Sequence, residues 1–163
     1  MGPPATERAL LEDWWRRCRE AQWAHYSCST QLMRLHYFIG IPIVILAAFT
    51  GSAAFAAISH TSGPVLRWAV GIISVLVAVL GGLQTFLRLT DRATAHRLAG
   101  ADYARVRRLI EERLAGSAST ADGQAFIRDT IDQLAERSPA IPAPVWRHTE
   151  RRLEKRRRSE KSN

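Results

Sequence analysis

Two stretches of this chain carry no charged residue, Tyr37 to Ser59 and Trp68 to Leu87, while the sequence around them is polar and periodic. As α-helix, runs of about 23 and 20 residues measure roughly 35 Å and 30 Å, matching the hydrocarbon core of a bilayer. A helix satisfies its own backbone hydrogen bonds, so it can cross lipid without a neighbour. The pattern predicts two transmembrane helices, spanning about 37–59 and 68–87. A pair of buried helices in a water-soluble domain is the competing reading, but little amphipathic sequence is left to cover them. A cleaved leader ending near AAFA, 53–56, is disfavoured by the roughly 36 residues ahead of the apolar run. The connection HTSGPVLR, 60–67, is short and rich in turn formers, which makes the two spans an antiparallel hairpin.

The flanking segments read as helices with one apolar stripe each. Thr6 is placed to cap a helix opening ERALLEDWW, whose first acidic residues suit its positive end. Along it Trp14, Cys18, Ala21, His25, Cys28, Leu32 and Leu35 recur at spacings of four and three, a heptad stripe leading into the first span. No proline or glycine falls between Thr6 and Gly40, so one long helix is expected to enter the membrane. Beyond the second span, Leu89, His96, Ala99, Tyr103, Val106, Ile110 and Leu114 form a second stripe, with Gly116 and Ser117 as a stop. The two stripes are expected to pair as an antiparallel coiled-coil stalk, with His25 near Ala99 and Trp14 near Ile110. A third, amphipathic helix over 120–137, capped by Ser119 or Thr120, turns Phe126, Ile127, Thr130, Ile131 and Leu134 toward that stalk. SPAIPAP, 138–144, reads as an extended linker, and a basic tail completes the segment 138–163. The fold class is thus an all-α membrane protein. A hairpin with its stalk fills 6–115, and the third helix follows.

Charge orients the hairpin. Of the 23 Lys and Arg residues, Arg8, Arg16, Arg17, Arg19 and Arg34 precede the first span, Arg67 alone lies in the connection, and the others follow the second span. The positive-inside rule puts both termini in the cytoplasm, with Tyr37 and Phe38 at the inner boundary and Trp68 at the outer. The net charge of +8 then calls for no nucleic acid. The tail residues Arg151, Arg152, Arg156, Arg157 and Arg158 suit anionic lipid of the inner leaflet or, equally, a solvated end. Cys18 and Cys28 are expected to stay reduced. On one helix they stand about 15 Å apart, too far for a disulfide. The opening MGPPAT fits a loose acylation pattern that Pro3 disfavours.

Candidate chemistry is sparse. Two readings of WAHYSC, 23–28, and TAHRLAGADY, 94–103, stand side by side. In one, His25, Cys28 and His96 ligate a metal, although a closed zinc site wants a fourth ligand. In the other, the histidines are neutral seam residues that set register, and Tyr103 packs its ring in the seam with its hydroxyl at the edge. No phosphate loop, nucleophile motif or intramembrane carboxylate pair is present, so neither an enzyme nor a cofactor is expected. Within the spans, small residues four apart such as Ala47 with Gly51, Ala48 with Ser52 and Ala53 with Ala57 allow close helix approach, as do Gly71, Ala78, Gly81 and Gly82. Thr50, Gly51, Ser52, Ser74, Gly81 and Gln84 are the candidates for helix packing or for lining a pore, with Thr85 among the few polar groups. Pro42 is a possible hinge near the inner end of the first span.

The order of these features resembles the SLATT domain, a two-transmembrane effector domain of bacterial nucleotide-signalling defence and conflict systems. The resemblance rests on WAHYSC before one span, DRATAHRLAGADYARVRRLIEERLA after the other, and a later helix leading into a Ser-Pro-x-Ile-Pro segment, and it covers about 10–150. It implies a homo-oligomeric, multi-pass effector of the bacterial inner membrane that forms pores in antiviral defence. The signal would come from a separate nucleotide-producing or nucleotide-sensing partner. The alternative is a membrane scaffold whose stalk docks a signalling protein.

Overall fold

The computed structural model describes residues 6–58, 63–116, 121–147 and 151, with the backbone alone given for 54–58, 66 and 121. Four helices follow one another: α1 (Glu7–Ile58), α2 (Pro64–Leu87), α3 (Leu89–Ala115) and α4 (Ala121–Arg137). Among the described residues there is no strand. The chain divides into two units, one from the described residues of Met1–Thr30 and Ala93–Asn163, the other from Gln31–Arg92. Helix α1 contributes to both.

In the first unit, α1 begins where its cap predicts. The Ala9 amide donates to Thr6 Oγ1 at 3.3 Å, satisfying one of the donors that a helix start leaves open. Ion pairs Arg8–Glu12, Asp13–Arg16 and Asp13–Arg17 then line its outer face. The inner face buries Leu11, Cys18, Ala24, His25 and Cys28, closely following the heptad stripe. Helix α3 answers with Ala99, Tyr103, Val106 and Ile110. Trp15 Nε1 donates to Glu111 at 2.7 Å and His25 meets His96, so the two helices run antiparallel. At Gly100 the two helices lie close together. A Cβ there would stand 3.0 Å from the Tyr26 ring and 3.4 Å from the Gln22 carbonyl oxygen.

Helix α4 closes the core by adding Ile127 and Leu134, with Ile131 partly buried, to the cluster around Ile110. Those three are spaced four and three and occupy one face. Phe126 was expected on that face, but it lies about 100° away from Ile127 and is 62% exposed. The segment after α4 is non-helical over 139–142 and then forms one helical turn over 143–147, with Pro144 in its first turn and Val145 buried. That turn was not foreseen in SPAIPAP. A proline is excluded only from a helix interior, not from its start.

The second unit pairs the later part of α1 with α2. Pro64 opens α2 behind an extended Gly63, as its fixed φ favours. Helix α1 continues through Pro42 as helix. Leu32 and Leu35, expected to prolong the seam of the first unit, belong here instead, and Leu35 is exposed. One helix was expected to run on from the second span. The structure breaks it at Arg88, whose φ of 45° is left-handed, and Leu89 starts a new helix. A left-handed non-glycine residue costs on the order of 1 kcal/mol. Two features offset it: Arg88 binds Asp91 in the first turn of α3 (2.8 Å), and Leu89 is buried to 4% exposure.

Two stretches, one within Glu7–Ala53 and one within Arg67–Ala115, are long and apolar enough to cross a membrane. No part of the most apolar stretch of either is buried. Phe38, Val44, Phe49, Trp68, Val75 and Phe86 all stand open. Among the described residues, a Cβ at Gly51, Gly71, Gly81 or Gly82 would meet nothing within 4 Å, so these four glycines have open space beside them.

These environments separate two glycines. Gly100→Leu should destabilise the first unit by about 1–3 kcal/mol through overpacking against Tyr26. Gly51→Ala should be neutral or stabilising by up to about 1 kcal/mol, because it gains helix propensity at no steric cost. Thermal unfolding followed by helical circular dichroism in detergent checks both; equal effects would contradict the packing described.

Candidate functional site

Two polar pairs occupy places where apolar contact would otherwise be expected. The first lies in the seam of the first unit. His25 is 2% exposed, and its Nδ1 stands 3.0 Å from His96 Nδ1, with ring centroids 5.2 Å apart. Tyr103 stacks on His25 at 5.6 Å with an interplanar angle of 18°. Its hydroxyl is hydrogen-bonded to Ser138, just after α4. A nitrogen–nitrogen bond needs one donor and one acceptor. One imidazole therefore carries its proton on Nδ1 and the other on Nε2.

Protonating both rings would set two N–H groups face to face. Burial is the main force holding these rings neutral. It lowers His25 from 6.5 to about 4, with His96 adding to the effect, and it lowers His96 as well. Burial also pushes the Cys18 thiol up to about 11 and raises Cys28, so neither is a ready thiolate. Burial raises Tyr103 too, against the opposing bond from Ser138. This chemistry is that of a neutral packed cluster.

The metal reading requires Cys28 to join the histidines. Among the described residues, no three His, Cys, Asp or Glu side chains converge to hold an ion. Cys28 lies three residues beyond His25 and is buried, but the pair at hydrogen-bond distance is His25 with His96 alone. His25 meets both His96 and Tyr103, and Gly100 meets Gln22 and Tyr26, so His25 stands level with Ala99 as the expected register has it. Trp14 packs partly buried against the cluster that holds Cys18, Tyr103 and Ile110.

The second pair joins the helices of the apolar unit. Gln84 Nε2 donates to His36 Nδ1 at 3.1 Å. Gly40 makes room for it, since a Cβ there would fall 2.7 Å from Gln84 Nε2. A groove of about 340 Å³ adjoins the pair, lined by Tyr37, Ile41 and Val44 among others. Sequence reasoning singled out Gln84 but missed His36 and Gly40. The signal was there: a histidine and a glycine four apart, just where an apolar run begins.

The remaining span candidates behave differently. Thr50 Oγ1 donates to the Leu46 carbonyl, Ser52 Oγ to Ala48 and Ser74 Oγ to Val70, each four residues back on its own helix, and Thr85 does the same toward Gly81. Gly51 is exposed and Gly81 half-buried. Of the tail residues, Arg151 is helical and exposed, and Arg152, Arg156, Arg157 and Arg158 lie outside the described residues, as do Ser117, Ser119 and Thr120.

The histidine pair predicts a pH response whose sign is fixed. A folded-state pKa below the unfolded value of about 6.5 contributes stability that is complete above pH 6.5. That stability drains away as pH falls toward about 4. The loss should reach on the order of 3 kcal/mol for His25, and His25→Phe should flatten the profile between pH 6.5 and 4. Unfolding midpoints across that range check it; a profile unchanged by the substitution would contradict it. Compared with known protein families, with curated proteins and with solved structures, the chain matches none.

Proposed function

We propose that the apolar unit is a membrane-spanning hairpin and that the protein acts as an oligomeric pore-forming effector. One observation carries the membrane part of this reading: the two apolar windows are wholly unburied. Leaving that much contiguous apolar surface in water is far outside what soluble chains tolerate. Lipid removes the penalty, and helices are the form that lipid accepts. The charge asymmetry supports both ends on the cytoplasmic side, with the Gly63–Pro64 turn outside. The buried seam of α1 and α3 has the spacing of an antiparallel coiled coil.

The step from hairpin to pore rests on composition and on the SLATT resemblance. One hairpin cannot enclose water, but several copies can. The small faces around Gly51, Gly71, Gly81 and Gly82, unfilled within one chain, are open to helices of further copies. No motif for catalysis accompanies them, so the protein is read as a non-enzymatic effector of the bacterial inner membrane that responds to a separate signalling partner. A second reading is supported by the hydroxyl groups. Thr50, Ser52 and Ser74 are satisfied within their own helices, so they need no water-filled lumen. That is what a hairpin scaffold would display toward lipid.

Topology and pore formation are tested separately. In intact cells Gly63→Cys should react with an impermeant maleimide, whereas Cys18 and Cys28 should react only after lysis and unfolding. Labelling of the native cysteines from outside would reverse the orientation. Reconstituted into planar bilayers, the protein should give stepwise conductance once activated. Correct insertion with no conductance in the presence of any signalling partner would leave the scaffold.

A further inference from the structure

The polar pair of the apolar unit does more than tie two helices together. Because His36 Nδ1 accepts from Gln84, the neutral ring carries its proton on Nε2. This leaves an N–H donor on His36 and the carbonyl oxygen of Gln84 without partners among the described residues. Both residues line the groove of about 340 Å³ whose remaining walls include Tyr37, Ile41 and Val44. The groove therefore offers a donor and an acceptor beside an aliphatic wall, at the point where the uncharged run begins.

The register of α1 gives this wall a polarity. Arg34, Tyr37, Ile41 and Val44 are spaced three, four and three, so they share one helix face. Read along that face, a cation is followed by an amphipathic ring and then by branched aliphatic side chains. Arg34 is exposed and has no ion pair among the described residues, whereas Arg88 at the end of α2 is already held by Asp91. A phospholipid has the same order along its length: phosphate, glycerol esters, acyl chain.

Resting on the membrane reading above, we infer that this groove seats one acidic phospholipid. The headgroup lies by Arg34, the ester region by His36, Tyr37 and Gln84, and an acyl chain along Ile41 and Val44. Gly40 leaves room for the seat, because a bulky side chain there would push the Gln84 amide away from His36. Charge complementarity selects an anionic headgroup over a zwitterionic one.

Native mass spectrometry of the full chain, released from nanodiscs of equal phosphatidylglycerol and phosphatidylcholine, tests this. One phosphatidylglycerol should be retained per chain with a preference of about tenfold, the effect of one to two arginines at a lipid surface. Arg34→Gln should bring the two lipids to near parity without altering the hairpin, and Gly40→Leu should abolish retention of both. Equal retention by the unaltered protein, or a preference indifferent to Arg34→Gln, would overturn the proposal. So would disulfide formation between copies through Ile41→Cys, which would give the groove to a second chain. The Gly63→Cys labelling reports insertion independently, so failure of the lipid seat is distinguishable from failure of the hairpin.

Discussion

The backbone of a helix is satisfied wherever the helix lies, but its side chains must be matched to a solvent, and α1 meets two different demands along its 52 residues. Up to Thr30 it hides an apolar stripe and shows charge. Beyond Gln31 it is mostly apolar, and most of those side chains are left open or only half-covered by the described residues. Burial in water is worth about 25 cal/mol per Å² of apolar surface, so an exposed Phe38, Val44, Phe49 or Ile45 represents stabilisation that this unit does not collect by folding alone. A hydrocarbon environment would supply it. The hydroxyl groups follow the same constraint: each turns back on its own helix, where its hydrogen bond needs neither water nor a neighbour.

The first unit solves a different problem. Its core is small, and Ile110 and Cys18 are its largest fully buried side chains. Two apolar stripes of heptad spacing can slide by a turn at modest cost, because one leucine or valine fits against another nearly as well. A hydrogen bond cannot slide. The contact of His25 with His96, backed by Tyr103 and through it by Ser138, fixes one register among several, at the cost of keeping two imidazoles dry and neutral. Gly100 adds a steric constraint one turn away, since only its bare Cα lets Tyr26 lie against α3.

Periodicity made the helices, the uncharged runs and most of the seam readable, down to Thr6 as the cap of α1 and, within one residue, the bounds of α4. These features depend on local spacing, which one sequence displays. What escaped depends on distance in space. The left-handed Arg88 has no local signature, because arginine is not a usual residue for that conformation and its partner Asp91 gains meaning only once the break is known. Phe126 looked apolar enough to bury, but lies off the stripe by one residue's rotation. The close fit at Gly40 has no local signature, because it is set by Gln84 from the opposite helix. Of the metal candidates, the two histidines come together and Cys28 does not join them, a difference of side-chain direction that spacing alone does not resolve.

The two histidine-centred pairs share a logic that ranks the polar residues of this chain. In each, a ring nitrogen is matched to a partner on an antiparallel helix at 3.0 or 3.1 Å, within an otherwise apolar contact. The difference is what remains of the second partner. In the first unit the two rings satisfy each other through Nδ1, Tyr103 stacks on His25, and burial resists any further proton. In the apolar unit Gln84 brings an amide with an oxygen still to satisfy, beside a groove and one turn from the start of the uncharged run. An unspent acceptor in an apolar wall is stable only where something supplies a proton to it. Water does so at a membrane boundary, and so does a headgroup hydroxyl. A pair that fixes register needs only its mutual bond, whereas the pair in the apolar unit keeps capacity for a third molecule.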